Sequence, residues 1–176
     1  LQDYKNNKTS SLSIMRCDPW TVSDKVLLIG DAAHATVPFY GQGMNAGFEG
    51  CYVLDQLMEK YGDDWLTCFN EYSKIRKPDG DGLQDLSMHN FIVMRDKTAD
   101  RNFLLQKKIE LHFSKKHPNK WLPLYSMVSF SNIRYSQAWK IGLKQEKLME
   151  KIMEVPNIDQ KWDSVEVETM MLNLID

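Results

Sequence analysis

The amino-acid sequence predicts an α/β protein in which a small amount of sheet near the start precedes a region that is mostly helical. Two observations support this prediction. Residues 25–29 contain a short apolar run after Lys25, which is typical of buried strands in parallel sheets. From residue 44 onward, apolar residues recur at the spacing of three and four positions that amphipathic helices show.

The composition is that of a globular protein with nearly balanced charge. The 176 residues include 22 Lys and Arg against 24 Asp and Glu, which gives no indication of a nucleic-acid or polyanion partner. Three cysteines without metal-ligand spacing favour a reducing compartment. No signal peptide and no run of about 18 apolar residues is found. We therefore expect a soluble, cytoplasmic protein, with a mitochondrial outer-membrane location only if an anchor lies outside this chain.

Short strands are predicted first. In residues 12–16, Leu12 and Ile14 fall on one face and Ser13 on the other, which is the alternation of a strand. A turn at Asp18-Pro19 separates this segment from the second predicted strand, residues 25–29.

Helices are predicted for most of the remaining chain. A second helix follows Asp64 and is expected to end before Pro78, because proline interrupts helices. Residues 79–117 form one long helix or two joined near residues 98–100, with Asp79 complementing the dipole at the N-terminus. Residues 135–153 and 162–175 complete the helical region. The first helix, residues 44–61, ends at Gly62, and its predicted apolar face consists of Phe48, Cys51, Tyr52, Leu54, Leu57 and Met58.

The segment 27–49 is the central feature of the sequence, because it combines a strand, a glycine-containing loop and a helix. Glycines let a backbone approach a ligand closely, and a helix N-terminus offers unpaired N–H groups with a partial positive charge. Asp31, at the end of the strand, can accept hydrogen bonds from sugar-alcohol hydroxyls. The alternative is an ordinary strand-to-helix turn in which Asp31 caps the turn and the glycines serve only the bend.

The same segment carries a resemblance to a known family. Residues 30–45 contain Gly-Asp-Ala-Ala-His and then Pro-Phe-Tyr-Gly-Gln-Gly-Met-Asn, which resembles the second flavin-binding motif of the single-component aromatic hydroxylases that use FAD and NADPH. Further matches lie at residues 16–20, 76–79, 90–96 and 122–135. The resemblance implies the C-terminal part of a FAD-binding aromatic-hydroxylase fold, with short strands followed by a helical C-terminal domain.

The resemblance also implies a division of labour along the chain. Residues 1–77 correspond to the C-terminal part of the FAD-binding domain, and residues 78–176 to a helical C-terminal domain that contributes to the substrate pocket. No GxGxxG motif for the ADP half of FAD occurs in the sequence. We therefore expect the missing N-terminal segment of the same enzyme to be a partner of this chain, and the piece to be inactive alone.

The resemblance assigns roles to particular residues. Asp31 holds the ribityl chain, and the flavin ring lies against Gly41, Gly43, Met44 and Asn45. The implied reaction is hydroxylation of L-kynurenine to 3-hydroxykynurenine, with NADPH and O2 consumed. No residue is assigned as a general base, because the aniline nitrogen already activates the ring. The implied substrate pocket consists of Pro38, Phe39, Gln42, Asn90, Met94 and Tyr125, of which Asn90 and Tyr125 hold the amino-acid carboxylate.

Three alternatives stay open. Taken without the resemblance, Asn90 among apolar neighbours favours a structural role, because buried amides are usually paired within the protein. The chain also fits a hydroxylase of the same flavin family acting on another aromatic, or a non-catalytic helical interaction domain that keeps the motif as a relic. A metal site is not expected, because His89 with Asp85 provides only two candidate ligands and the acidic run at residues 79–82 lacks the rest of a calcium loop.

Overall fold

The computed structural model describes residues 1–175, which form helices around one very short antiparallel sheet. The elements are α1 (Gln2–Asn6), β1 (Thr21–Val22), β2 (Val26–Leu27), α2 (Asp31–His34), a 3₁₀ turn (Pro38–Tyr40), α3 (Gly43–Tyr61), α4 (Trp65–Ile92), a π-helical turn (Val93–Lys97), α5 (Arg101–Lys116), α6 (Leu124–Phe130), α7 (Tyr135–Met153), α8 (Ile158–Lys161) and α9 (Val165–Ile175). The predicted class, mostly helical with short strands near the start, is confirmed.

The strand predictions are only partly correct. β1 and β2 pair antiparallel, with Thr21 opposite Leu27 and Val22 opposite Val26. The second predicted strand is thus shorter than expected and does not lie in a parallel sheet. Residues 12–16 are not a strand at all. The backbone N–H and C=O groups of a strand need hydrogen-bonding partners on a neighbouring strand. Among the described residues, such partners exist only for two positions in each of β1 and β2.

Helix α4 is the central element, and it corrects one prediction. It begins at Asp64, whose carboxylate accepts a hydrogen bond from the backbone N–H of Thr67 at 3.1 Å. It then continues through Pro78 to Ile92 instead of ending before the proline. Leu83 and Leu86, in the following turns, are fully buried. Packing on both sides of α4 therefore outweighs the local cost of a proline within the helix.

The other helices agree more closely with the sequence. The segment predicted at residues 79–117 belongs to two helices, because α4 with its π-helical turn is joined to α5 near residues 98–100. The side chain of Asp100 caps α5 by accepting a hydrogen bond from the backbone N–H of Phe103 at 2.7 Å. α3 and α7 match their predicted bounds within one residue. None of the helices in residues 1–175 is long and apolar enough to cross a membrane.

The predicted apolar face of α3 is only partly correct: Leu57 is buried and Leu54 packs against the core, but the larger side chains are not buried. Phe48 and Tyr52 are 67% and 64% exposed, and Cys51 is also exposed. The residues that α3 buries against α4 are small, namely Ala46 and Gly50, together with Leu57. An added Cβ at Gly50 would lie 2.7 Å from the hydroxyl of Tyr72, so the close approach of the two helices depends on the missing side chain.

Three groups of buried apolar side chains form the core. The first surrounds the middle of α4 and lies nearest the glycine-containing loop. The second joins α5, α7 and α9 and therefore includes the C-terminal helix. The third lies between the hairpin, α2, α3 and the start of α4. Their members are Tyr40, Ala46, Leu83, Leu86, Met127, Val128, Tyr135 and Ala138; Ile109, Phe113, Trp121, Leu148, Met149, Ile152, Val167 and Met171; and Trp20, Ala33, Leu57, Cys68 and Tyr72.

Candidate functional site

The site begins where the hairpin meets the short helix α2. Gly30 precedes α2 with φ at 56°, a left-handed value that favours glycine, and Asp31 is the first residue of the helix. The Asp31 side chain is exposed and forms no hydrogen bond or ion pair with any of residues 1–175. Its carboxylate is therefore free to accept hydrogen bonds from a ligand.

The loop between α2 and α3 narrows to a tight turn. Residues Pro38–Tyr40 form the 3₁₀ turn, and the backbone N–H of Gly41 donates to the Pro38 carbonyl at 3.0 Å. Gly41 has φ at 67°, which a side chain would strain, and no atom lies within 4 Å of the position where its Cβ would be. The backbone at Gly41 thus faces open space that a ligand can approach.

The start of α3 provides unpaired donors beside this turn. The backbone N–H groups of Gly43, Met44 and Asn45 have no acceptor among the described residues, and the Gln42 side chain does not cap them. Met44 is 71% exposed, so this end of the helix is open. Three N–H groups at the positive end of a 19-residue helix can donate to an electron-rich or anionic edge of a ligand.

An ionic network around the buried side chain of Arg76 contacts the first turns of α3. Arg76, which is 2% exposed, donates to the Ala46 carbonyl at 3.1 Å and lies 2.8 Å from Glu49 Oε2. Arg76 also lies 3.6 Å from Asp79 Oδ2. Asp79 therefore does not complement a helix N-terminus, as the sequence suggested, but is a buried acceptor in the middle of α4.

Asn90 connects the loop to α4 and fits both of the roles considered for it. Its side-chain N–H donates to the Phe39 carbonyl at 2.7 Å and approaches Met94 Sδ at 3.6 Å, which is a structural role. Phe39 in turn lies against Phe91, with ring centroids 4.6 Å apart. No described group donates a hydrogen bond to the side-chain oxygen of Asn90, Oδ1, so this oxygen remains available to a ligand.

Tyr125 meets the loop from the opposite side. Its ring stacks on Tyr40, with centroids 5.9 Å apart and planes inclined by 22°, and the residue is 56% exposed. Asn90 and Tyr125 both line a cavity of about 160 Å³. The structure thus brings these two candidate residues to one cavity, whereas Pro38, Phe39, Gln42 and Met94 do not line it.

Two titratable groups that line the cavity, Tyr40 and His89, are kept neutral by burial, while Lys97, Lys107, Glu110 and Glu146 also line it. Burial raises the pKa of Tyr40 to about 12, so its hydroxyl keeps its proton at physiological pH. Burial also lowers the pKa of His89, which lines the cavity with its ring 5.6 Å from that of Trp139. Within residues 1–175, no three His, Cys, Asp or Glu side chains could together hold a metal ion.

Sequence reasoning missed several residues of this site. Phe91 is adjacent to Asn90 and could have been found from that position. His89, Trp139 and the Arg76–Asp79 pair depend on how α4 packs against α3 and α7. The only signal for them in the sequence is that a charged or aromatic residue falls on a helix face whose other residues are apolar.

Comparison with known proteins points to a flavin-binding family. A family model described as "FAD binding domain" matches residues 3–84. A protein named kynurenine 3-monooxygenase from Flavobacterium psychrophilum is 54% identical over 174 residues, which is 99% of this chain and 39% of the relative. Proteins of the same name from Anopheles gambiae and Sus scrofa are 43% and 45% identical, over 87% and 84% of this chain and 32% and 31% of their own lengths. The chain thus spans about two-fifths or less of these relatives, and it matches their C-terminal part.

Proposed function

The chain belongs to the family of FAD-dependent aromatic hydroxylases, and from that membership we propose that it supplies the flavin-facing turn and part of the substrate pocket of an enzyme that hydroxylates L-kynurenine to 3-hydroxykynurenine. The observation that carries the proposal is that residues 30–45 present three unpartnered N–H groups at the open start of α3 and, at the other end of the segment, the unpartnered carboxylate of Asp31. An isoalloxazine ring with a ribityl chain needs both of these features.

FAD is the cofactor that the residues fit. Asp31 would accept hydrogen bonds from ribityl hydroxyls, and the open backbone at Gly41 would allow the flavin ring to approach the loop. The N–H groups of Gly43, Met44 and Asn45 would donate to the N1 and C2-carbonyl edge, where negative charge collects on reduction. When bound, FAD supplies the redox chemistry by which one atom of O2 enters the ring and the other leaves as water, with two electrons from NADPH.

The remaining residues of the loop bind and orient the aromatic ring. Phe39, held by Phe91 and by the side chain of Asn90, offers an apolar face beside the turn, and Pro38 extends it. Met94, on the π-helical turn, lies with its sulfur 3.6 Å from the same Asn90 amide nitrogen. These contacts hold the ring and exclude water from the reacting carbon.

Asn90 and Tyr125 would hold the amino-acid part of the substrate. Both line the same cavity, the side-chain oxygen of Asn90 can accept from an ammonium group, and the hydroxyl of the half-exposed Tyr125 can donate to a carboxylate. This pair favours kynurenine over an aromatic substrate without a charged side chain. No step requires a general base from this chain, because the amino group of the substrate activates the ring.

The exposed face of α3 supports the proposed partner. Met44, Phe48 and Tyr52 lie four residues apart on one stripe of α3, and all three are more than 60% exposed. We propose that the N-terminal part of the same enzyme covers this stripe and completes the FAD site. Because α4 is continuous across the expected boundary between residues 77 and 78, we propose that this boundary separates roles within one helical body. Residues 1–77 then contribute to flavin binding, and residues 78–176 contribute to substrate binding. A cytoplasmic location is part of the proposal and is supported by the three free cysteines.

A flavin titration tests the proposal. The chain is titrated with FAD alone and after mixing with the N-terminal part of the Flavobacterium psychrophilum relative, and bound flavin is followed by its visible spectrum. We expect tight binding only in the mixture, weakened about tenfold or more by Asp31→Ala through loss of a charge-assisted hydrogen bond. Asp55→Ala is the matched control, because it removes an exposed carboxylate that lies about 18 Å from the start of α3 along the helix.

The outcomes separate the alternatives. Flavin binding followed by formation of 3-hydroxykynurenine supports the proposed enzyme. Flavin binding with turnover of a different aromatic would support the related hydroxylase. No flavin binding by the mixture would leave the helical interaction domain as the better description.

A further inference from the structure

The α7 groove, formed by α7, α9 and the segment before α6, has no role in the proposed function. Its volume of about 510 Å³ is within the range of about 300 to 1,000 Å³ that small-molecule sites occupy. The base of the groove is apolar, because Trp121 and Leu148 are 2% and 9% exposed and Leu174 and Ile175 are partly buried. Ile141, which is 39% exposed, extends this apolar surface toward solvent.

Lysines lie beside the apolar base. Lys144, Lys147 and Lys151 follow one another at spacings of three and four residues, so they share one face of α7 with Ile141. All three are exposed and form no hydrogen bond or ion pair with any of residues 1–175. Lys120 lines the groove as well, and no Asp or Glu among residues 1–175 does. The side chains that line the groove therefore carry only positive charge.

An unpaired donor belongs to the same groove. The indole N–H of Trp121 has no hydrogen-bond partner among the described residues, although the side chain is almost fully buried. Proteins pair nearly all buried donors, because an unmade hydrogen bond costs free energy. The Trp121 ring packs edge-to-face against Phe113, with centroids 5.9 Å apart. A ligand with an acceptor group would provide the partner that the described residues do not provide.

We propose that the α7 groove is a binding site for a single anionic amphiphile with the chemistry of a medium-chain fatty acid. The acyl chain lies on the apolar base, and the carboxylate lies among the lysines, which attract it through their charge. This site shares only Gln145 with the cavity at Asn90 and Tyr125. The proposal therefore goes beyond the proposed function and does not depend on it.

Two larger partners fit the α7 groove less well. A flat bilayer would meet the lysines first, whereas Trp121 and Leu148 lie at the base of a concave surface. An acidic peptide would bring backbone groups that need hydrogen-bonding partners. The Gln145 amide is already donated to the Leu122 carbonyl at 3.0 Å. A single acyl chain has no such groups to satisfy.

The first test follows the indole N–H resonances of the 176-residue chain, labelled with ¹⁵N. The five tryptophans give five such resonances, and that of Trp121 is identified by its loss in Trp121→Phe. Decanoate, added below its micelle concentration, should shift this resonance in a saturable way. Decyltrimethylammonium has the same chain length and should bind about tenfold more weakly, because the lysines repel its charge. Equal binding of the two amphiphiles, or no saturable shift with decanoate, overturns the proposal.

The second test uses lysine variants of the same chain. Lys144→Gln combined with Lys147→Gln should raise the Kd for decanoate about two- to tenfold, as loss of two exposed charge contacts does. Lys60→Gln combined with Lys115→Gln is the matched control, because it removes two exposed lysines outside the groove and should leave the Kd unchanged. Equal weakening by the two pairs would show that decanoate responds only to net charge, and the proposed site would then be wrong.

The remaining outcomes concern other occupants of the α7 groove. Decanoate binding by the chain but not by the complete enzyme would mean that another part of the enzyme fills the groove. Binding only in Asp176→Asn would mean that the carboxylate after Ile175 competes for the lysines. Binding to vesicles of anionic phospholipid that decanoate does not displace would favour a membrane contact. Each of these results overturns the proposal, and none depends on whether the enzyme hydroxylates kynurenine.

Discussion

Asp79 offers the sharpest test of how the fold supports the site. Its carboxylate is 1% exposed and accepts three hydrogen bonds, two from Ser136 and one from Arg134. It also lies 3.6 Å from the Arg76 guanidinium, which is 2% exposed. The substitution Asp79→Asn keeps the shape of the side chain, removes its charge and turns one acceptor atom into a donor. That donor would then face the Nε–H of Arg134 or the donor groups of Ser136, which bond to the carboxylate in the native protein.

The expected cost follows from the burial of the partners. Removing one member of a buried, hydrogen-bonded ion pair costs about 3 to 5 kcal/mol, because the remaining charge stays buried without compensation. Glu49, at 2.8 Å, still neutralises Arg76, so we expect the lower part of that range. For a protein of this size each kcal/mol corresponds to about 2 to 4 °C in Tm, so Tm should fall by roughly 6 to 12 °C.

Urea denaturation, followed by circular dichroism, measures this loss. The matched control is Asp85→Asn on the same helix, where the ion pair with Arg16 is about 40% exposed on both sides. An exposed pair of this kind contributes less than about 1 kcal/mol. The denaturant slope should be unchanged in both variants, which shows that the midpoints report stability. A loss for Asp79→Asn no larger than that for Asp85→Asn would refute the role of Asp79 as the buried anchor of α7.

Three further predictions concern the site and the exposed face of α3. In the complete enzyme, Asn90→Ala and Tyr125→Phe should each raise the KM for kynurenine while the FAD content stays the same, and an unchanged KM in both variants would remove the pair from the substrate pocket. Burial lowers the pKa of His34 below its ordinary 6.5, so the unfolded chain takes up the proton first and stability falls as the pH drops below about 6.5. The substitution His34→Gln should therefore shrink the difference between the unfolding free energies at pH 7.5 and pH 5.5. A difference equal to that of the unsubstituted protein would contradict this. Phe48→Asp should weaken binding of the N-terminal part of the enzyme at least tenfold in a titration. Val165→Asp, at another exposed apolar position on α9, should not weaken it. Equal affinities of the two variants for the N-terminal part would rule out the stripe as the contact.

The helices could be predicted largely because their ends carry local signals. Gly62 ends α3 with φ at 57°, and Asp100 caps α5 through its own side chain. Each of these depends on residues within one turn, which a sequence displays directly. The helix through Pro78 could not be predicted, because what stabilises it is burial of Leu83 and Leu86 against residues that are far away in the chain, such as Tyr40 and Met127.

The candidate site was predictable as a motif but not as an arrangement. Residues 30–45 carry the family resemblance, and the unpaired N–H groups lie where a helix start places them. The contact of Asn90 with the Phe39 carbonyl joins positions 51 residues apart, and the stacking of Tyr125 on Tyr40 joins positions further apart still. Neither contact has a local pattern, because each depends on how α4 and α6 pack against the loop.

The partly wrong prediction for α3 shows why a hydrophobic stripe does not by itself identify the core. Periodicity assigned burial to the large residues, including Phe48 and Tyr52, because large apolar side chains gain most from leaving water. The helix instead presents Ala46 and Gly50 to α4, where the hydroxyl of Tyr72 occupies the space of a side chain at position 50. A close helix contact selects small residues, so an α-helix with a small apolar face and a large apolar face has two partners to satisfy. The described residues provide only the first partner, and the large face of α3 is therefore where the rest of the proposed enzyme is expected to pack.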